Sequence, residues 1–224
     1  MKLLSLLFAL LICSCTEKTE SEESSKSSTV HNADIMNVYQ DYKESILNDK
    51  GSAAYECIDK ETRDYYDWLI VASNELNKKQ IQALGLMDHF TICVLRKNLT
   101  ASELAKMSGK DLFIYAIDNG MVGKNSVQSL ELDDSDIEVD GTTATVGIQT
   151  DSTPFPYRFK FNLENGKWGL SLVHTMKATS PALEDAVKQS GKSTEEFVKM
   201  LVEVTYNTTV DMEKLYTPRG LEGR

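Results

Sequence analysis

A predicted β-hairpin within residues 157–174 constrains the fold of this chain more than any other stretch. Residues 157–163 alternate apolar with polar side chains, which is the period of a half-buried strand. Asn165-Gly166 follows and is the strongest signal for a two-residue turn, because both turn positions require a positive φ. Residues 167–174 alternate again, so we expect a second, antiparallel strand.

The turn sets the register of this hairpin and the face that it buries. We expect four cross-strand pairs on one largely apolar face, namely Leu163 with Trp168, Phe161 with Leu170, Phe159 with Leu172 and Tyr157 with His174. A hairpin of this kind is not stable alone, so the rest of the chain must cover its apolar face.

Three residues of the hairpin are candidate ligand-binding residues. Tyr157 and His174 form the polar pair at one end of the apolar face, and Trp168 lies on the same face. One interpretation is a hydrogen-bonding pair at the mouth of a pocket. The other is an aromatic edge whose polar tips reach water.

The start of the chain is typical of a bacterial lipoprotein signal (residues 1–14). Lys2 supplies a positive charge, residues 3–12 are an apolar stretch too short to span a bilayer, and Ile12-Cys13-Ser14-Cys15 resembles a lipobox. The resemblance implies lipidation at Cys15 and a lipid-anchored, extracytoplasmic place in the cell envelope. An ordinary secretory signal with two incidental cysteines is the alternative.

The charge of the mature chain limits its partners. Removing residues 1–14 takes away one cation, Lys2, and leaves 23 basic against 34 acidic side chains, a net charge of −11. This balance argues against nucleic acid as a partner, because phosphates require a basic surface. It also gives no polybasic attraction to lipid headgroups, so membrane attachment would depend on the acyl chains on Cys15.

The sequence contains no recognisable catalytic, metal or cofactor motif. His31, His89 and His174 are not spaced as local metal ligands, and there is no nucleophile elbow, phosphate-binding loop or dinucleotide fingerprint. We therefore predict no catalytic residue, no metal and no cofactor. Cys57 and Cys93 leave two alternatives open, a disulfide outside the cytoplasm or two buried thiols.

The mature chain divides into three parts. Residues 15–32 are rich in Ser, Thr, Glu and Lys, which predicts a flexible acidic tether. This acidic stretch resembles the patch that directs some Gram-negative lipoproteins to the outer surface, and the resemblance implies an outer-membrane, surface-exposed location. A plain spacer is the alternative. Residues 33–174 predict an α+β domain, with N-terminal helices packed on a curved antiparallel sheet. Residues 175–224 predict a helical extension and tail.

Local signals mark the ends of these elements. Asp59 or Thr62 is a candidate N-cap for the helix that follows it. Gly85 weakens the helical pattern of residues 81–99. Thr100 and Ser193 predict capping boxes, and Ser108 predicts an N-cap. A change of parity predicts a bulge over Asp133–Asp136.

Further signals concern the turns. Asp140-Gly141 predicts a turn that pairs Ile137 with Ala144, and Pro154 and Pro156 predict a loop. Ser180-Pro181 predicts the start of a C-terminal helix.

One aromatic run carries two interpretations. Tyr65-Tyr66-Asp67-Trp68 lies within a predicted helix. The run suits the wall of a carbohydrate or aromatic-ligand cleft. Its helical spacing also suits a stripe of core residues.

The order of elements resembles the nuclear transport factor 2-like (SnoaL-like) fold. The residues that carry this resemblance are Val38-Tyr39, the stretch 46–51, Ala53-Ala54-Tyr55 with Ile58, and the strand 168–173. The resemblance implies a curved sheet wrapped around helices to leave a cone-shaped pocket. The sequence departs from the family in its long helical stretch from 77 to 119 and in the helices after the last strand.

Three functions follow from this resemblance and from the leader. The first is a non-catalytic lipid-anchored envelope protein that binds a small ligand or a protein partner through the cone-like domain. The second is a SnoaL-like isomerase or hydrolase, which would need a carboxylate base on the inner face of the sheet. The third is a protein-interaction or immunity-type lipoprotein.

Overall fold

Helices precede and follow an antiparallel sheet in the computed structural model, which describes residues 17–121, 124–150 and 153–219. The protein is therefore α+β, as predicted. The helices before the sheet are α1 (Glu17–Leu47), α2 (Gly51–Tyr55), α3 (Lys60–Glu75), α4 (Lys78–Gln82), α5 (Leu86–Asn98), α6 (Ala101–Leu104), α7 (Gly109–Asp118) and α8 (Asn125–Gln128). The strands are β1 (Leu130–Asp140), β2 (Thr143–Thr150), β3 (Thr153–Glu164) and β4 (Lys167–Leu170). The helices after it are α9 (Leu172–Ser190), α10 (Thr194–Tyr206) and α11 (Met212–Tyr216).

The sheet has the strand order β1-β2-β3-β4, and the predicted hairpin forms its β3–β4 end. Asn165 and Gly166 both have positive φ, and the pairs Leu163–Trp168 and Phe161–Leu170 are confirmed. The two remaining predicted pairs, Phe159 with Leu172 and Tyr157 with His174, are wrong. The strand β4 ends at Leu170, because the side chain of Ser171 accepts a hydrogen bond from the backbone of His174 and caps α9 instead.

The first hairpin of the sheet turns one residue later than predicted. The predicted bulge is confirmed by a register shift between Leu132 and Ile137. Asp140 pairs with Thr143, so Gly141 is the first turn residue, where its φ of 57° suits a glycine. Ile137 consequently lies opposite Val146, and the predicted Ile137–Ala144 pair is wrong.

The prolines after this hairpin lie in a strand. Pro154 and Pro156 belong to β3, where a loop was expected. The β2–β3 register shifts between Gly147 and Gln149, next to the Gln149–Pro154 pair. Such an irregularity accommodates a residue that has no backbone N–H to donate.

Helix α1 begins at Glu17 and includes most of the segment predicted as a tether (15–32). The stretch contains neither Gly nor Pro, and its Glu and Lys residues are good helix formers. From His31 onward, Ile35 is the first buried side chain, close to the predicted start of the domain. The Tyr39 hydroxyl and the Lys43 ammonium each donate a 2.9 Å hydrogen bond to the Leu130 carbonyl and hold α1 against β1.

Several of the other helices begin at the capping residues that the sequence predicts. The Asp59 side chain accepts a hydrogen bond from the backbone of Thr62 at the start of α3. Capping boxes open α6 at Thr100, α7 at Ser108 and α10 at Ser193. The helical pattern that the sequence weakens at Gly85 is interrupted there, because α4 ends at Gln82 and α5 begins at Leu86.

The described residues form two hydrophobic cores. The sheet core joins α1, α2 and one side of α7 to the apolar face of the sheet. The helical core joins α3, α5, α10, α11 and the other side of α7. Phe113 of α7 lies in the sheet core and its neighbour Leu112 lies in the helical core, so α7 belongs to both. Cys57 and Cys93 are buried free thiols, one in each core.

Helix α9 begins nine residues earlier than predicted and contains Pro181. The predicted start at Ser180-Pro181 is therefore wrong, and the predicted domain boundary at residue 174 falls inside α9. The hydroxyls of Thr179 and Ser180 donate to the carbonyls of Thr175 and Met176 in the turn before the proline. Pro181 has no N–H to donate to the carbonyl of Lys177, and the two hydroxyls add hydrogen bonds at the carbonyls just before that one.

The last two helices pack on the chain itself. Phe197, Val198 and Val202 of α10 are buried in the helical core, whereas Val204, predicted for the same stripe, is 75 % exposed. Arg96 of α5 is buried and donates to the carbonyl of Leu215 in α11 at 3.0 Å. Within the described ranges, no helix is both long and apolar enough to cross a membrane.

Candidate functional site

A cleft of about 460 Å³ opens between α3, α5 and the first half of α9. We call it the aromatic cleft, and its main lining residues are Glu61, Asp64, Tyr65, Trp68, Met87, Asp88, Val173, Met176 and Lys177. It lies on the helical side of the molecule, away from the apolar face of the sheet. Clefts where several elements meet are the usual place for small-molecule sites.

Helix α3 supplies the aromatic wall of this cleft. Tyr65 and Trp68 are three residues apart and therefore lie on one face of the helix. Their ring centroids are 5.6 Å apart with an interplanar angle of 32°, and Trp68 is 36 % exposed. A large ring is thus presented to solvent at the edge of a concave surface.

A hydrogen bond between Tyr65 and Asp88 joins α3 to α5 in the wall of the cleft. The Tyr65 hydroxyl donates to the Asp88 carboxylate at 2.7 Å. Burial, and then this hydrogen bond, raise the pKa of Tyr65 well above its usual value near 10. The hydroxyl is therefore a neutral donor that fixes the position of both side chains.

Helix α9 forms the third wall because of how the sheet ends. The backbone N–H of Leu172 donates a 3.0 Å hydrogen bond to the hydroxyl of Thr62, which ties the start of α9 to α3. Val173, Met176 and Lys177 then face the cleft. The Lys177 ammonium lies 2.8 Å from the Glu61 carboxylate and spans the gap between α9 and α3.

An apolar cavity of about 240 Å³ adjoins the aromatic cleft. Tyr65, Met87 and Met176 line both spaces, so these side chains are the partition between them. The cavity continues among Leu69, Phe90, Val94, Leu95, Leu112, Ala116 and Met121. We call it the methionine lobe. Methionine side chains are unbranched and flexible, so they suit a partition that can rearrange.

Acidic side chains dominate the rim of the aromatic cleft. Glu61, Asp64 and Asp88 line it, and Lys177 is the one cation among the lining residues. Lys60 pairs with Asp64 at 2.5 Å without lining the cleft. With Lys60 included, these groups carry three negative and two positive charges, so the rim has a local net charge of −1.

The three sequence-predicted site residues lie elsewhere. Trp168 is only 4 % exposed, and its Nε1 donates to His31 Nδ1 at 3.3 Å beside a separate polar depression between α1 and α2. Tyr157 lies on β3 with its ring centroid 5.6 Å from that of Phe155. His174 is in the first turn of α9, where burial lowers its pKa. The structure therefore does not form the predicted Tyr157–His174 pair.

The sequence pointed to part of the aromatic cleft. The run Tyr65-Tyr66-Asp67-Trp68 carries both interpretations in the structure, since Tyr65 and Trp68 line the cleft while Tyr66 contacts Phe113 with ring centroids 4.9 Å apart. Asp88 and Met176 gave no local signal, because they come together only when α5 and α9 pack on α3.

The aromatic cleft suits binding. Its lining offers a ring face, three carboxylates, an ammonium and thioether side chains. Within the described ranges, no cluster of His, Cys, Asp or Glu residues could hold a metal ion. No protein-family model, curated protein or solved structure matches this chain.

Proposed function

We propose that this chain is a non-catalytic, lipid-anchored protein of the bacterial cell envelope that binds a small ligand in the aromatic cleft. The observation that carries the proposal is the Tyr65–Trp68 ring pair, in which the Trp68 ring is open to solvent above a concave surface with an acidic rim. An exposed tryptophan at the edge of an apolar cleft costs solvation free energy that a bound ligand would recover.

The packing of the sheet supports a ligand site on the helices. Tyr39 of α1 contacts Phe159 of β3 with ring centroids 5.5 Å apart, and both are buried in the sheet core. This contact occupies the side of the sheet where the SnoaL-like resemblance implies a pocket. The proposal therefore keeps the binding function of the first interpretation and moves its site to α3, α5 and α9.

A neutral fluorescent probe tests the binding site. Nile red, which brightens in apolar surroundings, should bind the full mature chain with a stoichiometry of one. Trp68→Ala should lower its affinity about tenfold, which corresponds to about 1.4 kcal/mol of lost contact. Val71→Ala is the matched control, because Val71 is an exposed apolar residue one turn along the same helix and does not line the cleft. Equal binding to both variants would refute the site.

Lipidation is tested separately. Cys15→Ala should abolish metabolic labelling with palmitate and release the protein from membranes, because the acyl chains are the proposed anchor. Cys13→Ala should keep both the label and the membrane attachment, since Ser14-Cys15 remains. Labelling that persists in Cys15→Ala would refute the lipoprotein assignment and leave the aromatic cleft unaffected.

A further inference from the structure

We infer that the ligand of the aromatic cleft is a cationic amphiphile, a small organic cation that carries an alkyl tail. The inference rests on the proposed ligand-binding function and adds the chemical class of the ligand. The cationic head would lie between the Trp68 ring and the carboxylates of the rim, and the tail would enter the methionine lobe.

The rim selects the charge of the head group. Glu61, Asp64 and Asp88 face the cleft, and the overall net charge of the chain is −10. An anionic ligand would be repelled, whereas a cation gains from these carboxylates and from the face of Trp68, the best ring for a cation–π contact.

The lysines beside the rim offset two of its three negative charges, and one net negative charge remains. Lys60 and Lys177 each have side chains that are 71 % exposed, and ion pairs this exposed contribute little free energy. An incoming cation can therefore displace them at small cost. Asp88 is hydrogen-bonded to the Tyr65 hydroxyl, a neutral donor, so this contact leaves its negative charge in place.

The methionine lobe selects the tail. Three of its lining residues carry hydroxyls, namely Tyr65, Tyr66 and Thr91, and the Tyr65 hydroxyl is directed to Asp88. The rest of the lining is apolar. Met87 and Met176 separate the lobe from the cleft, and rotation about their flexible side chains would admit an alkyl chain. A sugar stacked on Trp68 would use the rim but leave this adjoining apolar space empty, so an amphiphile uses the observed geometry more fully.

Amphiphiles with one tail and different heads test the inference. Dodecyltrimethylammonium, dodecyl maltoside and dodecanoate would each be titrated into the full mature chain below their micelle concentrations, with tetramethylammonium as the tail-free cation. The trimethylammonium amphiphile should bind about tenfold more tightly than the maltoside, as one cation–π contact with nearby carboxylates predicts. Dodecanoate and tetramethylammonium should both bind more weakly still.

Matched variants locate the binding. Asp64→Asn should reduce the affinity for the cationic amphiphile and leave that for the maltoside unchanged. Asp185→Asn is the control, since Asp185 is also an exposed, lysine-paired carboxylate but belongs to a part of α9 outside the cleft. An equal effect of both variants would mean general attraction to an acidic protein and would overturn the inference.

Two outcomes separate the inference from the function on which it rests. If the cationic and neutral heads bind equally well and Trp68→Ala weakens both, the cleft binds ligands but does not select cations, and only the inference fails. If none of the four compounds displaces Nile red and Trp68→Ala leaves the affinity for Nile red unchanged, both the inference and the proposed function fail.

Discussion

His89 and Tyr216 lie in contact inside the helical core, with His89 Nε2 2.8 Å from the Tyr216 hydroxyl. Both side chains are buried, and the other ring nitrogen of His89, Nδ1, is buried without a hydrogen-bond partner. The contact joins α11 to α5 across 127 residues of sequence. A buried imidazole in this position is tolerated when neutral and penalised when charged.

This contact predicts acid-sensitive stability. Burial lowers the pKa of His89 below its usual value near 6.5, so on acidification the unfolded chain binds this proton first. The contribution of His89 to stability is therefore complete above pH 6.5 and falls as the pH drops towards the folded-state pKa. Between pH 7 and pH 5, the wild type should lose more unfolding free energy in urea than His89→Gln. If the unfolding free energies of the two proteins change by the same amount between pH 7 and pH 5, the prediction is refuted.

The two tryptophans should differ sharply in their contribution to stability. Trp168→Ala removes a ring that is 4 % exposed and should cost about 3–5 kcal/mol. Trp68→Ala removes a ring that is 36 % exposed and should cost about 1 kcal/mol or less. Urea unfolding of both variants measures the difference, and similar losses would contradict the assignment of Trp68 to a binding surface.

Two valines on α10 give a second matched comparison. Val198 is fully buried against the helical core and Val204 is exposed on the same helix. Val198→Ala should destabilise the protein by about 1.5–3 kcal/mol, and Val204→Ala should change stability by about 0.5 kcal/mol or less. If the two thermal unfolding temperatures shift equally, α10 does not pack on the core as the structure has it.

Gly169 should not tolerate a side chain. A Cβ at this position would lie 2.8 Å from the backbone of Asp59, where β4 passes the start of α3. Gly169→Ala should cost about 1–3 kcal/mol, the usual penalty for overpacking. Gly85→Ala is the control, because a Cβ there meets nothing within 4 Å. Chemical denaturation should rank Gly169→Ala as the more destabilised variant, and the reverse order would count against this close approach.

The sequence predicts local features of this fold better than the places where elements end. The turn at Asn165-Gly166 follows from backbone conformation alone, and the structure has it. The end of β4 depends on Ser171, whose side chain caps a helix although Trp168, Leu170 and Leu172 continue the alternation of a strand. Periodicity cannot distinguish these outcomes, because the competing hydrogen bonds involve α3 and β3 as well.

The aromatic cleft was also predictable from the sequence only in part. Helical spacing alone places Tyr65 and Trp68 on one face of α3, and the sequence predicts that much. Whether that face is core or cleft depends on the position of α9, which the Thr62–Leu172 hydrogen bond helps to fix. Such a contact spans 110 residues, and no local pattern encodes it.

The buried Arg96 has a consequence for the order in which the chain folds. Its guanidinium donates to carbonyls of Ser73 and Leu76 at the end of α3 and to the carbonyl of Leu215, which lies 119 residues later in the sequence. A growing chain has the first two acceptors early but gains the third only after Leu215 has been synthesised. Until then a buried cation would lack part of its hydrogen bonding, which is costly. The helical core should therefore close only after α11 has been synthesised, and the sheet core, whose last strand ends at Leu170, can form before it.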